Sequence, residues 1–544
     1  MDLPSLLMAG SLDTLTSYFS VAFLVIFLPV SVVVYAVIPQ KARKYFLLIA
    51  SFAFFWLISG QLIAYLCLII MGVHYFGLWL DRIQTQKSAA LKAVPKEEKK
   101  ALKKVYLHRS RRVLLFAAVL MIGGLLVIKY SPFFTTNLNS LLSLLNIPIQ
   151  FDIPSYIMPI GISFFTLQAV SYLFDVYRGL IKADDNILRL ALFMSFFPQI
   201  VEGPICRYGQ TANQLWNVKQ IEFENLKLGA VRILFGLMKK LVIADRLNPM
   251  IKQIFSHYDD YQGGIIALGA IAYTIQLYCD FSGTMDAVMG VAQIFGVTMP
   301  ENFQRPFFSK SISEFWKRWH ITLGTWFKDY IFYPVTMSKP MKNLTSSARK
   351  KLGNHFGPLL AGSIALFCVW FCNGLWHGSA WGYIFFGMYH FVLILSGNII
   401  APAVTAFNKK LHINSECFAY KVFQIVRTCI LVVIGEMFFR AERLTTGLSM
   451  FGKMVTDFSF SSLNYELMKK LKIDMHDVMI VLIALALIFV ISVLNEKGIC
   501  VRGAIAKRNV VIRWAAVYAL IMFIIIFGAY GKGYVPVDPI YANF

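Results

Sequence analysis

The chain has 544 residues, of which 58% are hydrophobic and only 15% are charged, and its formal net charge is +23. This composition excludes an ordinary soluble globular protein, because such proteins are about 25% charged. The basic residues lie in short segments between apolar runs and form no basic domain interleaved with aromatic residues, so nucleic acid is excluded as a partner. We interpret the chain as a polytopic membrane protein that contacts membrane lipid.

The N-terminal part, residues 1–155, is predicted to contain transmembrane helices and one basic cytoplasmic loop. The apolar run at residues 19–38 is long enough to cross the membrane and too long for the core of a signal peptide. Residues 81–112 contain eleven Lys or Arg and three acidic residues, whereas the first 18 residues contain no Lys or Arg. By the positive-inside rule, residues 81–112 form a cytoplasmic loop and the N-terminus is outside.

The middle of the chain, residues 156–400, has a different pattern. Its apolar segments are short, interrupted by Gly and Pro, and contain polar residues. Irregular backbone at membrane depth is tolerated where it is buried in protein or lines a cavity, since an unpaired peptide group in lipid costs several kcal/mol. We therefore expect this part to be the functional core and to surround a cavity. Residues 193–209, which contain Glu202 between two prolines, are predicted to form a broken or re-entrant helix.

Acidic residues interrupt the next apolar segment, residues 272–296, at Asp280 and Asp286, with Ser282 between them. Carboxylates inside a membrane need a compensating charge. We expect one of three arginines to supply it: Arg178, Arg207 or Arg305. The two carboxylates are then structural, with a place in a substrate pathway as the alternative.

An amphipathic helix is predicted from Ile312, because Ser311 followed by Glu314 is a capping-box pattern. Continued to residue 330 at 100° per residue, this helix places aromatic residues on one face and charged residues on the other. The aromatic face includes Trp316, Trp319, His320 and Trp326. A basic, Trp-rich helix of this kind is typical of the cytoplasmic membrane interface. A structural role is the simpler interpretation of His320 taken alone.

A second histidine, His377, lies between two apolar segments within residues 359–397. Gly374, Gly378 and Gly382 recur at every fourth position around it, which predicts close packing against a neighbouring helix. An ionisable side chain at membrane depth is costly and usually functional, and burial keeps an imidazole neutral, as a general base requires. We favour a catalytic or pathway role over a packing seam in which His377 only forms a hydrogen bond.

The C-terminal part, residues 401–544, returns to long apolar segments, at residues 422–439, 478–494 and 511–528. The loop before the last segment is basic, so it is predicted to be cytoplasmic and the C-terminus to be outside. The whole chain then has about a dozen transmembrane and re-entrant helices. The eight cysteines have no spacing typical of a disulfide framework or a metal site, and we expect no metal.

Six motifs resemble, in order, the bacterial alginate O-acetyltransferase-like branch of the membrane-bound O-acyltransferase family. They are MPIGISFFTLQAVSYLFDVYRG (158–179), FFPQIVEGPICRY (196–208), YCDFSGTMDAVMGVAQIFG (278–296), NFQRPFFSKSISEFWKRWHITLGTWFKDYIFYPV (302–335), GLWHGSAWGYIFFGMYH (374–390) and MFFRA (437–441). The resemblance extends from about residue 20 to residue 530. It departs at Glu202, where that branch more often has a small residue.

The resemblance implies an all-α ring of transmembrane and re-entrant helices around a central tunnel. It also implies that His377 is the essential membrane histidine and His320 the second functional histidine, which would orient the donor or stabilise the oxyanion. The residues expected to line or support the tunnel are Trp316, Trp319, Trp326, Asn373, Trp376, Asp280, Ser282, Arg305 and Gln199.

The implied activity is transfer of an acetyl group across the bacterial plasma membrane. The donor is a cytoplasmic thioester, most simply acetyl-CoA, with no tightly bound cofactor. The acceptor is a polysaccharide, reached directly or through an extracytoplasmic SGNH-type acetyltransferase. Two alternatives stay open: a D-alanyl transferase for teichoic acid, and a transporter of acyl or glycan units that makes no bond.

Overall fold

The computed structural model describes residues 18–441 and 443–530. Within these ranges the secondary structure is helical, with no β-strand. Eight helical stretches there are long and apolar enough to cross a membrane, and the first of them, residues 40–93, contains two helices. The prediction of an all-α polytopic membrane protein is therefore confirmed. The two termini, for which an external location was predicted, lie outside the described residues.

The chain divides into two compact units. Among the described residues, the first extends to Ile233 and includes residues 287–300, and the second contains residues 234–286 and 301–530. The helices that begin in the first unit are α1 (Leu28–Val37), α2 (Gln40–Ser59), α3 (Ile63–Ala93), α4 (Lys99–Leu144), α5 (Ile162–Arg178), α6 (Ile187–Ser195), α7 (Tyr208–Trp216) and α8 (Phe223–Leu237). A π-helical turn, Ala22–Phe27, precedes α1, and together they form an apolar helix somewhat shorter than the predicted first span.

A long hairpin of α3 and α4 packs against α5 in the first unit. Residues 81–112, predicted to be a loop, are instead largely helical, because α3 continues to Ala93 and α4 begins at Lys99. At 1.5 Å per residue, α4 is about 69 Å long, roughly twice the thickness of a hydrocarbon core. The basic residues therefore lie on helical turns that extend the hairpin beyond its apolar part.

The predicted break at residues 193–209 is confirmed. Helix α6 ends at Ser195, α7 begins at Tyr208, and residues 196–206 between them are buried. Protein groups satisfy part of this backbone: the Tyr18 hydroxyl donates to the Phe197 carbonyl at 2.9 Å, and the Phe197 N–H donates to Ser51 Oγ at 3.1 Å. Irregular backbone is thus buried inside the protein, as the cost of unpaired peptide groups requires.

The second unit contains α9 (Asp245–Ser256), α10 (Gly263–Ile294), α11 (Ile312–Arg318), α12 (Ile321–Phe327), α13 (Tyr333–Thr336), α14 (Lys339–His377), α15 (Trp381–Lys410), α16 (Phe418–Arg440), α17 (Leu444–Thr456), α18 (Tyr465–Lys470), α19 (Met475–Glu496), α20 (Val501–Ala506) and α21 (Val510–Phe527). Helix α10 ends in the first unit. A π-helical segment, Met238–Ala244, joins α8 to α9, and α19 and α21 pack against it. The three C-terminal apolar segments are the helices α16, α19 and α21, as predicted.

Candidate functional site

His377 is the last residue of α14 and is only 6% exposed. The helix ends there because Gly378 adopts extended backbone and donates its N–H to the Leu375 carbonyl at 3.2 Å. Three aromatic rings surround the imidazole edge to face, with centroid distances of 4.9 Å to Trp376, 5.0 Å to Phe439 and 5.9 Å to Phe386. The side chain is thus a buried imidazole at a helix end, held by aromatic rings from three helices.

The predicted close packing of the glycines around His377 against a neighbouring helix is confirmed at Gly374, where an added Cβ would lie 2.6 Å from the Tyr383 carbonyl oxygen. The three glycines do not form one helical seam, since α14 ends at His377 and α15 begins at Trp381. The close contact is instead between Gly374 on α14 and Gly387 on α15, where a Cβ added to Gly387 would lie 3.2 Å from the Gly374 nitrogen. This contact packs the two helices tightly beside the histidine.

Gly387→Ala is expected to destabilise the hairpin formed by α14 and α15. The added Cβ would lie 2.3 Å from the Trp370 carbonyl oxygen, so the helices would have to separate. Overpacking of this kind costs about 1–3 kcal/mol, measurable as thermal unfolding in detergent. Gly397→Ala is the matched control, because it lies on the same helix and nothing is within 4 Å of its added Cβ. Equal stability of the two variants would contradict the close packing.

His320 lies at a break between two short helices, which corrects the prediction of one continuous helix. Helix α11 begins at Ile312 with its Ser311 cap, as predicted, but ends at Arg318, and α12 begins at Ile321. The reason is local backbone geometry, because His320 has a φ of 45° in the left-handed region and interrupts the α-helical path. The predicted single aromatic face over residues 316–330 is therefore wrong.

Asn302 accounts for the position of His320. Its backbone carbonyl accepts the Ile321 N–H at 3.0 Å, and its side-chain oxygen accepts the Thr322 N–H at 3.1 Å. The same oxygen is 3.2 Å from His320 Nδ1. His320 is 3% exposed and lies outside the candidate spans. Burial lowers the pKa of its imidazole to about 3, because desolvation disfavours the charged form, so the side chain is neutral at pH 7.

Trp376 contacts both histidines. Its ring centroid is 5.7 Å from that of His320 and 4.9 Å from that of His377, in both cases edge to face. The two histidines are 57 positions apart in the sequence and belong to α14 and to the break before α12. The structure therefore brings together, on one tryptophan, the two residues that the sequence analysis placed in the site.

The other predicted tryptophans have different surroundings. Trp319 packs against Phe303 and Phe315, and Trp326 packs against Tyr330. Trp316 faces the α14–α15 hairpin, where its indole N–H donates to His390 Nδ1 at 3.2 Å. Asn373, one turn before His377 on α14, is 7% exposed.

Lysines, and not the predicted arginines, compensate the acidic residues of α10. Lys240 Nζ lies 2.7 Å from Asp280 and 3.2 Å from Asp245. Lys239 Nζ lies 2.7 Å from Asp286 and 3.2 Å from Ser282 Oγ. Both lysines belong to the π-helical segment, which packs along α10. The interpretation of Asp280 and Asp286 as paired charges holds, but their partners were misassigned.

The remaining predicted residues are buried or have polar partners of their own. Arg305 pairs with Glu496 at 2.5 Å. Gln199 belongs to the first unit, where its amide N–H donates to the Phe193 carbonyl at 2.7 Å. Glu202 is buried in the same non-helical stretch. Among the residues that the structure describes, no group of three or more His, Cys, Asp or Glu could hold a metal ion.

Sequence reasoning missed Asn302, His390 and the two lysines. Adjacent lysines within the apolar stretch LFGLMKKLVIAD were a usable signal, because buried cations require partners as much as buried carboxylates do. Asn302 carried no such signal, since its contacts depend on the backbone turn at His320.

Comparison with known proteins gives a consistent assignment. A model of the membrane-bound O-acyltransferase family matches residues 162–349, which include His320 and end before His377. The chain is 32% identical to the probable alginate O-acetylase AlgI of Pseudomonas syringae pv. tomato, over 81% of this chain and 76% of that protein. It is 28% identical to the peptidoglycan O-acetyltransferase of Helicobacter pylori, over 80% and 78%. The teichoic acid D-alanyltransferase of Bacillus subtilis is 33% identical, but over 44% of this chain and 58% of that protein.

Proposed function

The chain belongs to the membrane-bound O-acyltransferase family and is an O-acyltransferase, and we propose that it passes an acetyl group from a cytoplasmic thioester to a polysaccharide outside the cell membrane. The observation that carries this proposal is the pair of buried histidines that both contact Trp376. The two imidazoles contact the same aromatic ring, so that His377 can supply the proton acceptor and His320 a second polar group for the reacting atoms.

His377 is the general base in this proposal. It removes the proton from an acceptor hydroxyl while the hydroxyl oxygen attacks the thioester carbonyl carbon. The carbon–sulfur bond then breaks, and the imidazolium returns the proton to the leaving thiolate, so the products are an ester and a free thiol. Aromatic rings of Phe386, Phe439 and Trp376 surround the imidazole and limit its contact with water.

An acetyl group is favoured over D-alanine as the transferred unit. The relatives named as an alginate O-acetylase and a peptidoglycan O-acetyltransferase match about four fifths of the chain. The match to the teichoic acid D-alanyltransferase covers 44% of it. We propose acetyl-CoA as the donor, a central tunnel as its path from the cytoplasm, and an SGNH-type acetyltransferase outside the membrane as the relay to the polysaccharide.

Reconstitution tests the donor and the reaction class together. Purified protein in proteoliposomes, given acetyl-CoA labelled in the acetyl group and a polysaccharide acceptor, is expected to form alkali-labile acetyl esters. The experiment is run with and without the SGNH-type partner, which separates relay from direct transfer. Labelled D-alanyl carrier protein is the competing donor, and esters formed from it alone would contradict the acetyl assignment. Movement of intact donor or glycan without ester formation would instead indicate a transporter.

A further inference from the structure

Asn302 is completely buried, and its side-chain oxygen has three neighbouring polar atoms. The Thr322 N–H donates to it at 3.1 Å, the Thr322 hydroxyl donates to it at 2.9 Å, and His320 Nδ1 lies 3.2 Å away. The amide nitrogen of Asn302 lies 3.2 Å from the sulfur of Met285, a weak acceptor. The backbone N–H of Thr322 can only donate, so it must face the side-chain oxygen of Asn302 and not the amide nitrogen. This determines the orientation of the amide.

The protonation of His320 follows from this orientation. An amide oxygen only accepts hydrogen bonds, so the contact with Asn302 requires a proton on His320 Nδ1. A neutral imidazole carries one proton, so Nε2, on the opposite side of the ring, then carries a lone pair. In this tautomer Nε2 of His320 can accept a hydrogen bond but cannot donate one.

We propose that Asn302 is a positioning residue that fixes the proton of His320 on Nδ1 and so makes Nε2 a hydrogen-bond acceptor toward the substrates of acyl transfer. This inference rests on the proposed function, in which His320 faces the reacting groups. The partner of Nε2 is an O–H or N–H donor, either the hydroxyl of the acceptor or an amide of the thioester's arm. The role differs from stabilisation of an oxyanion, which requires a donor.

The surroundings of His320 support a neutral ring. Phe281 of α10 contacts it edge to face with a centroid distance of 4.8 Å, and Trp376 of α14 contacts it on another side. The acidic residues of α10, Asp280 and Asp286, are paired with Lys240 and Lys239. The titratable group on α14 beside Trp376 is His377. The hydrogen bond to Asn302 thus selects the tautomer of a ring that Phe281 and Trp376 contact edge to face.

Nitrogen-15 NMR of the full-length protein in lipid tests the tautomer without any measurement of activity. Histidine is labelled, and the signals of His320 are identified by their loss in His320→Gln. The parent protein is expected to show a protonated Nδ1 and an unprotonated Nε2. Asn302→Leu is expected to lose this preference, whereas Thr322→Val, which removes another donor to the same oxygen, keeps it. A protonated Nε2 in the parent, or an unchanged tautomer in Asn302→Leu, would overturn the proposal.

Transfer kinetics test the consequence for the reaction. Asn302→Leu is expected to lower kcat at least about tenfold. Asn302→Asp keeps an acceptor for Nδ1–H, so it retains more activity, but its negative charge favours the imidazolium and raises the pKa of His320. The rise of kcat with pH therefore shifts to higher pH in Asn302→Asp. An identical pH profile in the parent and in Asn302→Asp contradicts the positioning role. If the parent protein shows the expected tautomer but transfers no acetyl group, only the proposed function is contradicted.

Discussion

His377→Ala is expected to lower the rate of acetyl transfer by a factor on the order of 10² to 10⁴, the usual contribution of general acid–base catalysis. Without the imidazole the attacking hydroxyl keeps its proton, and the leaving thiolate has no proton donor. The loss is expected in kcat, because the ring acts on the reacting hydroxyl and not on the bulk of either substrate. Label transfer from acetyl-CoA in proteoliposomes measures it.

A histidine on the same helix serves as the matched control. His355 lies in α14, is exposed, and is distant in sequence from His377. Its Nε2 is 3.0 Å from the Asn398 carbonyl oxygen of α15. His355→Ala is expected to transfer acetyl groups at a rate close to that of the parent. If His377→Ala also does so while remaining folded, His377 is not the base, and the mechanism given above is wrong.

Lys240→Met is expected to lower the stability of the folded protein more than Gly387→Ala does. Lys240 is nearly completely buried and lies between Asp280 and Asp245, which are themselves buried. Removing one partner of a buried ion pair typically costs about 3–5 kcal/mol, because the remaining charges have no compensation. The expected result is a large fall in the unfolding temperature of the detergent-solubilised protein.

An exposed ion pair of the same type supplies the comparison. Lys470 lies 3.1 Å from Asp260 at the surface, with about half of each side chain exposed. Solvent screening makes such pairs weak, so Lys470→Met is expected to leave the unfolding temperature nearly unchanged. If Lys240→Met behaves like Lys470→Met, the lysine does not compensate the two carboxylates in the folded protein.

The positions of several membrane-spanning helices could be predicted from hydropathy alone. The helices α16, α19 and α21 lie close to the predicted apolar segments, since a span requires about twenty apolar residues and leaves a strong signal. The helical structure of residues 81–112 could not be predicted, because charge patterning locates a segment relative to the membrane but does not distinguish a loop from a protruding helix.

The two candidate histidines could be selected from the sequence, but their local geometry could not be predicted. His377 is an ionisable residue between apolar segments, where its cost is visible, whereas His320 was selected through the family resemblance. The helix break at His320 is not visible, because its left-handed backbone conformation depends on hydrogen bonds to Asn302, eighteen residues earlier. The pairing of Asp280 with Lys240 was likewise missed, since it depends on how two distant helices pack.

The π-helical segment Met238–Ala244 gives this part of the chain a surplus residue relative to an α-helix. A π-helix closes its hydrogen bonds over five residues, so its turn is wider than that of an α-helix. Loss of a single residue here would restore an α-helical turn, and the chain that follows would keep nearly the same direction. Arg246 could then keep its contacts with Asp477 and the Phe527 carbonyl. The cost of such a deletion would fall on Lys239 and Lys240, because their ion pairs with Asp286 and Asp280 are formed from the wide turn itself.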